Sequence, residues 1–453
     1  MEWTTLTLQV TTPLFNGGAD PDGSAGFRPG HEAAIRVASV RGAMRFWFRA
    51  LAGVLTGPDL PLLAALERRV FGGASDGRQG ADSAASPVLL RIPKQPAVVA
   101  ASGPHSFLPS PNVPLPARRR DDSRWLLYLM GQGLGDLAAC EVKRPYVNVD
   151  QEFQLKLGFR HAAGDDADTR NAIEGLAVAS LWLMCTYGGI GARTRRGFGG
   201  VRIVAAEGPG SDDTLPLPDP WRQPASLLTP GLAYYERLSY LWPDGPVAAC
   251  MRYIAVLAGR TKFDPARTGP PSFPVMSRSH TSAATSGGGT FGDWTETLIH
   301  AGRQLRHFRA DRPNPSGQMR YDPFIETPEW ADVVHGDSDH FPLGALGLPV
   351  VYKDNYVINA DGESPSEPPR RRASPLWLRP VGAGDQWRLL SFAFQGEFLP
   401  SAPGAHLWHG TSRGKALRVT DDDVKRQTDR WIEVLHDDES CIGEHYRSAS
   451  LSE

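Results

Sequence analysis

Cysteine is scarce in this chain. There are four in 453 residues, Cys140, Cys185, Cys250 and Cys441, far apart and without a C-x-x-C pair. Reduced thiols in a cytoplasmic protein are the simplest reading. No apolar run approaches the ~20 residues that a membrane span requires, so no membrane is expected among the partners. The opening MEWTTLTLQV has neither a basic n-region nor a cleavage pattern, and no signal peptide is expected. Net charge is nearly absent too: Lys plus Arg is 48 and Asp plus Glu is 50, for a formal −2. That excludes a general polyanion sponge and requires any nucleic-acid surface to be local. Glycine (48) and proline (39) are abundant, which predicts long loops. The length predicts two or more domains with a sizeable core.

The local concentration of charge is at Gly188–Gly200, GGIGARTRRGFGG: six Gly, three Arg (Arg193, Arg195, Arg196) and no acid. An apolar run, Leu176–Tyr187, precedes it. Ile173, Leu176, Ala177, Ser180, Leu181 and Met184 recur at helical spacing, so the run reads as a buried helix ended by Gly188 and Gly189. Val201–Ala205 then reads as a strand. A Gly-rich loop can bring its backbone N–H groups close to a ligand, and arginine forks suit phosphate. The alternative is a glycine hairpin with solvated arginines. The order helix–loop–strand is the reverse of a dinucleotide-binding fingerprint.

Thr4–Phe15 alternates as a strand. Ser39 is the expected cap of a helix starting near Val40, with Met44, Trp47, Phe48, Leu51 and Leu55 as its apolar face. Arg41, Arg45 and Arg49 fall at i, i+4 and i+8 beside that face. Three like charges in a stripe repel unless an anion or acids from elsewhere offset them. Val88–Ile92, Trp125–Met130 and Gln151–Phe159 read as strands, and the basic run Arg118–Arg120 as a loop. The resulting order, strand, helix, strand, strand, helix, strand, is the split-βαβ pattern of ferredoxin-like and RNA-recognition (RRM-like) folds. Residues 207–230, Pro-rich and acidic, read as a linker between an N-terminal domain (1–206) and a C-terminal one (231–453). In the second half, Phe291–Arg309 and Asp421–Leu435 read as helices, and Ala373–Pro380 with Arg388–Phe394 as paired strands.

Several short motifs occur together: Thr12-Pro13-Leu14-Phe15 with Gly17-Gly18; Ile35-Arg36 and Ser39-Val40-Arg41-Gly42 with Arg45–Arg49; Gly188–Val201; Gly347-Leu348-Pro349; and Arg372–Leu376. In combination they resemble the RAMP superfamily of CRISPR proteins, and within it the subunit-one family of the type III-B Cmr complex. The resemblance implies an α+β chain of two ferredoxin-like domains with long loop insertions. It also implies a place in a guide-RNA ribonucleoprotein, near the 3′ side of the guide, with target RNA and the other Cmr subunits as partners. The RNA contacts it implies are Arg36, Arg41, Arg45, Arg49, Gly188, Gly189, Gly191, Arg193, Arg195, Arg196 and Phe198.

Catalytic chemistry is poorly supported. His31 and His161 are each a lone histidine in a polar loop. Asp20 and Asp22 flank a proline, and Asp421–Asp423 suits a helix N-terminus. His406-x-x-His409 has ligand spacing but no third ligand. Gly410–Ala416 is one residue short of a P-loop and has no Ser/Thr after its lysine. No cofactor, metal or catalytic residue is expected. A RAMP-type endoribonuclease remains as the alternative reading, and a nucleotide-binding enzyme as a weaker one.

Overall fold

The computed structural model describes residues 2–16, 35–57, 59–73, 84–99, 107–108, 117–210, 214–237, 245–260, 263, 270–286, 290–309, 328–351, 355–360, 371–399, 404–410, 412–437 and 445–446. Gly17, Gly18, Asp20, Asp22, His31, Arg267, Gly287–Gly289, Arg370 and Cys441 lie outside the described residues, as do the side chains of Arg118–Arg120. The chain is α+β and folds as two compact units, residues 1–114 with 130–266, and residues 115–129 with 267–453. Elements are numbered here in chain order.

The first unit is built on β1 (Trp3–Val10), which buries Leu6, Leu8 and Val10 and turns Thr5, Thr7 and Gln9 outward. It pairs on one side with β3 (Glu152–Phe159) and on the other with β4 (Val201–Glu207), and β2 (Val88–Arg91) adds beyond β3. The sheet order is β2–β3–β1–β4, antiparallel throughout. Helix α1 (Val37–Thr56) follows β1, and α4 (Ala167–Tyr187) joins β3 to β4. α4 is buried almost all round from Ala172 to Tyr187, because α1, β4 and α5 (Gly245–Ala258) all pack on it. That explains its unbroken apolar sequence.

Four readings change. α1 starts at Val37 with Arg36 as its extended N-cap residue, so Ser39 lies inside the first turn and is not the cap. Helix α2 (Leu60–Phe71) went unread in the sequence; Asp59 caps it through Leu62 N–H at 2.9 Å, with a proline in its first turn. Trp125–Met130 is not a strand but the end of helix α3 (Ala117–Met130). The described residues between 207 and 230 pack as part of the first unit: Leu215, Leu217, Trp221 and Leu227 are buried, and the Trp221 indole N–H meets Cys250 Sγ of α5 at 3.2 Å. The division between units therefore falls near residue 266, since an apolar segment with a place to bury does not behave as a linker.

The second unit contains β5 (Thr281–Thr285), α6 (Trp294–Arg309), β8 (Leu376–Ala383), β9 (Gln386–Phe394), α8 (Asp421–Asp437) and β12 (His445–Tyr446). Its main sheet runs β8–β9–β5–β12, again antiparallel. A second antiparallel sheet is inserted, with order β6 (Val350–Val351), β7 (Tyr356–Ala360), β10 (Ala405–His409), β11 (Ser412–Leu417). Short helix α7 (Pro328–His335) precedes it. Leu348 and Arg372 exchange backbone bonds, and the Arg372 guanidinium donates to the carbonyls of Phe398, Ala345 and Ala373. Here Arg372 and the Gly347-Leu348-Pro349 turn tie strands together.

Candidate nucleic-acid interface

The Gly/Arg loop is zipped along its length to residues 11–16. Gly200 N–H donates to Thr12 Oγ1 (2.8 Å), Gly199 N–H to Pro13 O (2.9 Å) and Ala192 N–H to Phe15 O (2.8 Å). Within the loop, Ile190 N–H bonds Gly199 O at 2.8 Å and Arg196 N–H bonds Arg193 O at 2.8 Å. These N–H groups are engaged inside the protein, so the loop does not present them to a ligand as the sequence suggested. The glycines serve close packing instead. A Cβ on Gly188 would meet Trp47 Nε1 at 2.3 Å, and one on Gly189 would meet Gly199 O at 2.4 Å. Gly191 (φ 92°) and Gly199 (φ 70°) also need the left-handed region, which favours glycine. Phe198 is 1% exposed and sits edge-on against Phe15, so it offers no ring face to a base.

What the loop does present is the turn Arg193–Arg196. Arg193 is exposed, in the left-handed region (φ 62°), and its guanidinium lies where a Cβ on Gly131 would be, 2.3 Å from Nη2. Arg195 lies over the ring of Phe46 at 5.6 Å, and burial lowers its pKa. Arg196 is half-buried. No acid occurs between Glu174 and Glu207. The Arg195–Phe46 and Gly188–Trp47 contacts bring the loop against α1.

The arginine stripe of α1 looks elsewhere. Arg45 and Arg49 both pair with Glu67 of α2, at 3.4 and 3.1 Å, and Arg45 also donates to the carbonyls of Phe71 and Gly72 that end α2. Arg41 donates to Val88 O of β2 at 3.3 Å; burial, then the neighbouring Arg45 charge, lowers its pKa. Phe46 is one residue past Arg45, about 100° further round the helix, so the stripe and Arg195 flank α1 on adjacent faces. For Arg45 and Arg49 the mutual repulsion is offset by a carboxylate from a helix the sequence reading missed. Arg36 is exposed at the N-terminus of α1, whose first turn has no acid. It is held there by Gln95, whose amide bonds both Ile35 N–H (2.8 Å) and Ile35 O (3.0 Å). Nothing in the sequence marked Gln95 for this role.

The histidine candidates acquire partners. His161 Nε2 bonds Glu174 at 2.7 Å, its ring stacks on Phe159, and both side chains of the pair are under a fifth exposed. Burial raises the Glu174 pKa and the histidine works against that rise. His161 is thus not a lone surface residue but a tie between the end of β3 and α4. His406 Nδ1 lies 3.2 Å from Arg413, and His409 stacks on Tyr356. Among the described residues no three His, Cys, Asp or Glu side chains converge as a metal site. Asp423 closes a reciprocal capping box with Thr420 and meets His340 at 2.8 Å. Burial pushes its carboxyl up, but the bonds from His340 and Thr420 outweigh that and hold it below the ordinary value. Cys140, Cys185 and Cys250 are buried thiols, and burial pushes Cys250 up to about 12.

Residues 7–202 match the family model of the RAMP superfamily. Two curated relatives from Pyrococcus furiosus are each 27% identical. CRISPR system Cmr subunit Cmr1-2 matches over 209 residues, 43% of this chain and 92% of its own length. Cmr1-1 matches over 172 residues, 38% of this chain and 41% of its own length. Among solved structures, the crystal structure of apo Cmr1 from Pyrococcus furiosus is similar with a TM-score of 0.48, 17% identity and coverage of 95% of this chain and 97% of that one. The type III-B Cmr-beta complex bound to cognate target RNA contains a chain similar at a TM-score of 0.45 and 11% identity, covering 96% of this chain and 99% of that one.

Proposed function

We propose, from the premise that residues 7–202 place this chain in the RAMP superfamily, that it is a non-catalytic RNA-binding subunit of a type III-B CRISPR effector complex. Its partners are guide RNA near the 3′ side, target RNA and the other Cmr subunits, and it works in the cytoplasm. The observation that carries this reading is the Arg193–Arg196 turn. Three guanidiniums stand on a turn closed by the Arg196 N–H bond to Arg193 O, in a stretch without acid. A fixed cationic turn grips phosphates without reading bases, as a subunit must if it serves many guide sequences. Arg36, at an N-terminus that favours anions, extends the surface. Arg41 borders it, and Arg45, Arg49 and Phe198 are assigned to the scaffold. The main sheet of each unit has the strand order of a ferredoxin-like unit, which supports two such domains, the first running to about residue 266.

The endoribonuclease reading needs an acid/base pair facing substrate. The His161–Glu174 pair is enclosed, with His161 Nδ1 buried, which favours the non-catalytic reading. The test is binding of labelled single-stranded RNA by the full chain, wild type against Arg195→Gln with Arg196→Gln. A loss of roughly 1 kcal/mol or more is expected, the lower range for charged hydrogen bonds, with binding that weakens with salt. Wild-type affinity in a folded double variant, or RNA cleavage abolished by His161→Ala, would overturn the assignment.

A further inference from the structure

The inserted sheet of the second unit has one closed face and one open face. Val350, Ile358, Leu407, Ala360 and Ala405 are buried on the closed side. On the other, cross-strand pairing lines up Val351, Val357, Trp408 and Arg413 in one row across all four strands. Asn359 pairs with His406 in the next row. Val351 is 59% exposed, Arg413 is exposed, and Val357, Asn359, His406 and Trp408 are half-buried. The hairpin 405–418 carries Arg413, Lys415 and Arg418 and no acid. Lys415 is held by the carbonyls of Gly336 and Ser338, at 3.2 and 3.1 Å, which pins the outer strand to the end of α7. The Arg413 guanidinium can only donate, so His406 Nδ1 accepts from it at 3.2 Å. The imidazole N–H is therefore Nε2–H, a further donor on this face.

We infer that this open face is a second single-stranded RNA platform, resting on the RNA-binding reading above and extending it to the other unit. An indole beside a guanidinium, with valines in the same row and small polar groups in the next, matches what a splayed base and its phosphate need. The base stacks on Trp408, the phosphate meets Arg413, and Asn359 and His406 supply hydrogen bonds. The hairpin itself contributes cations and no acid, which complements a polyanion, and a base stacked on Trp408 needs no particular sequence.

The experiment uses the full chain and a labelled single-stranded RNA, with Trp408→Ala, Arg413→Gln and Val351→Glu measured beside the loop variant Arg195→Gln/Arg196→Gln. Photocrosslinking followed by mass spectrometry locates the contacts. The expected results are a crosslink within residues 404–410 and a five- to hundredfold weaker binding for Trp408→Ala, the range of one base stack. Arg413→Gln should reduce the salt slope by about 0.7, one phosphate on a single strand. Val351 is an exposed position of the row, so its glutamate variant keeps the fold and tests the face if Trp408→Ala does not. If the wild type binds no RNA, the general reading and this inference fall together. If the loop variant weakens binding while folded hairpin variants keep wild-type affinity, this inference alone falls. Hairpin variants that bind RNA normally but fail to join other complex subunits would make the face a protein dock and overturn it as well.

Discussion

Replacing Glu67 by alanine should destabilise the first unit without lowering its affinity for RNA. Glu67 has a side chain only 12% exposed and serves two guanidiniums, Arg45 at 3.4 Å and Arg49 at 3.1 Å, whose own side chains are 31% and 43% exposed. Fully exposed pairs contribute about 0.2–1 kcal/mol each. A mostly buried carboxylate raises that, and the partial exposure of both arginines lowers it again. The expected cost of Glu67→Ala is about 1–2 kcal/mol, a five- to thirtyfold increase in local opening. Arg45→Ala should cost more than Arg49→Ala by about 1 kcal/mol, because it also leaves the α2 terminal carbonyls of Phe71 and Gly72 without their donor. Hydrogen exchange read by mass spectrometry over residues 37–71 localises the effect, and a double-mutant cycle of Glu67 with Arg49 should give a coupling of about 0.5–1 kcal/mol. If Arg45→Ala and Arg49→Ala leave exchange unchanged, show no coupling to Glu67 and abolish RNA binding, then the stripe is a ligand surface and the scaffold argument is refuted.

Gly199→Ala should cost several kcal/mol, since it forces an L-residue to φ 70° and sets a Cβ 2.1 Å from Ile190 O; Gly42→Ala, with nothing within 4 Å, should stabilise by about 0.5–1 kcal/mol. Equal melting temperatures for the two variants would contradict the packing account of the loop. Asp423 is depressed in the folded state, so its contribution is present above the unfolded value near pH 4 and is lost as pH falls through the lower folded value. The stability gap between wild type and Asp423→Asn, from urea unfolding, should therefore shrink below about pH 4; a gap that stays constant from pH 5 to pH 2.5 would count against the capping-box assignment.

The elements legible in the sequence were those whose cause is local. β1 alternates, α4 is apolar all round, the β8–β9 pair shows two apolar runs, and Asp421–Asp423 mark a helix start; each can be read from neighbours along the chain. Trp125–Met130 misled because six apolar residues suit either a strand or the end of a helix, and the polar first half of α3 hid its period. α2 carried a start signal, Asp59 with Pro61, but it lay between stronger patterns. The missing helix then distorted the reading of function. Without Glu67, 18 to 22 residues beyond the arginines in sequence, Arg45 and Arg49 look like cations that need an anion.

The Gly/Arg loop teaches the converse lesson about composition. Its six glycines and three arginines were grouped in the sequence as parts of one ligand cradle. In the fold they do different work. The glycines let the loop lie against Thr12–Phe15 and Trp47 at distances no side chain permits, and this contact joins two motifs nearly two hundred residues apart. The arginines form the turn left at the rim once that contact is made, Arg193 exposed and Arg195 and Arg196 partly covered. A substitution among the glycines should therefore act on RNA only through the position of Arg193–Arg196. A substitution among the arginines should act on RNA with the fold intact. Such a separation could not be drawn from spacing alone, because the carbonyls that crowd Gly189, Gly191 and Gly199 belong to backbone that only the folded chain brings near.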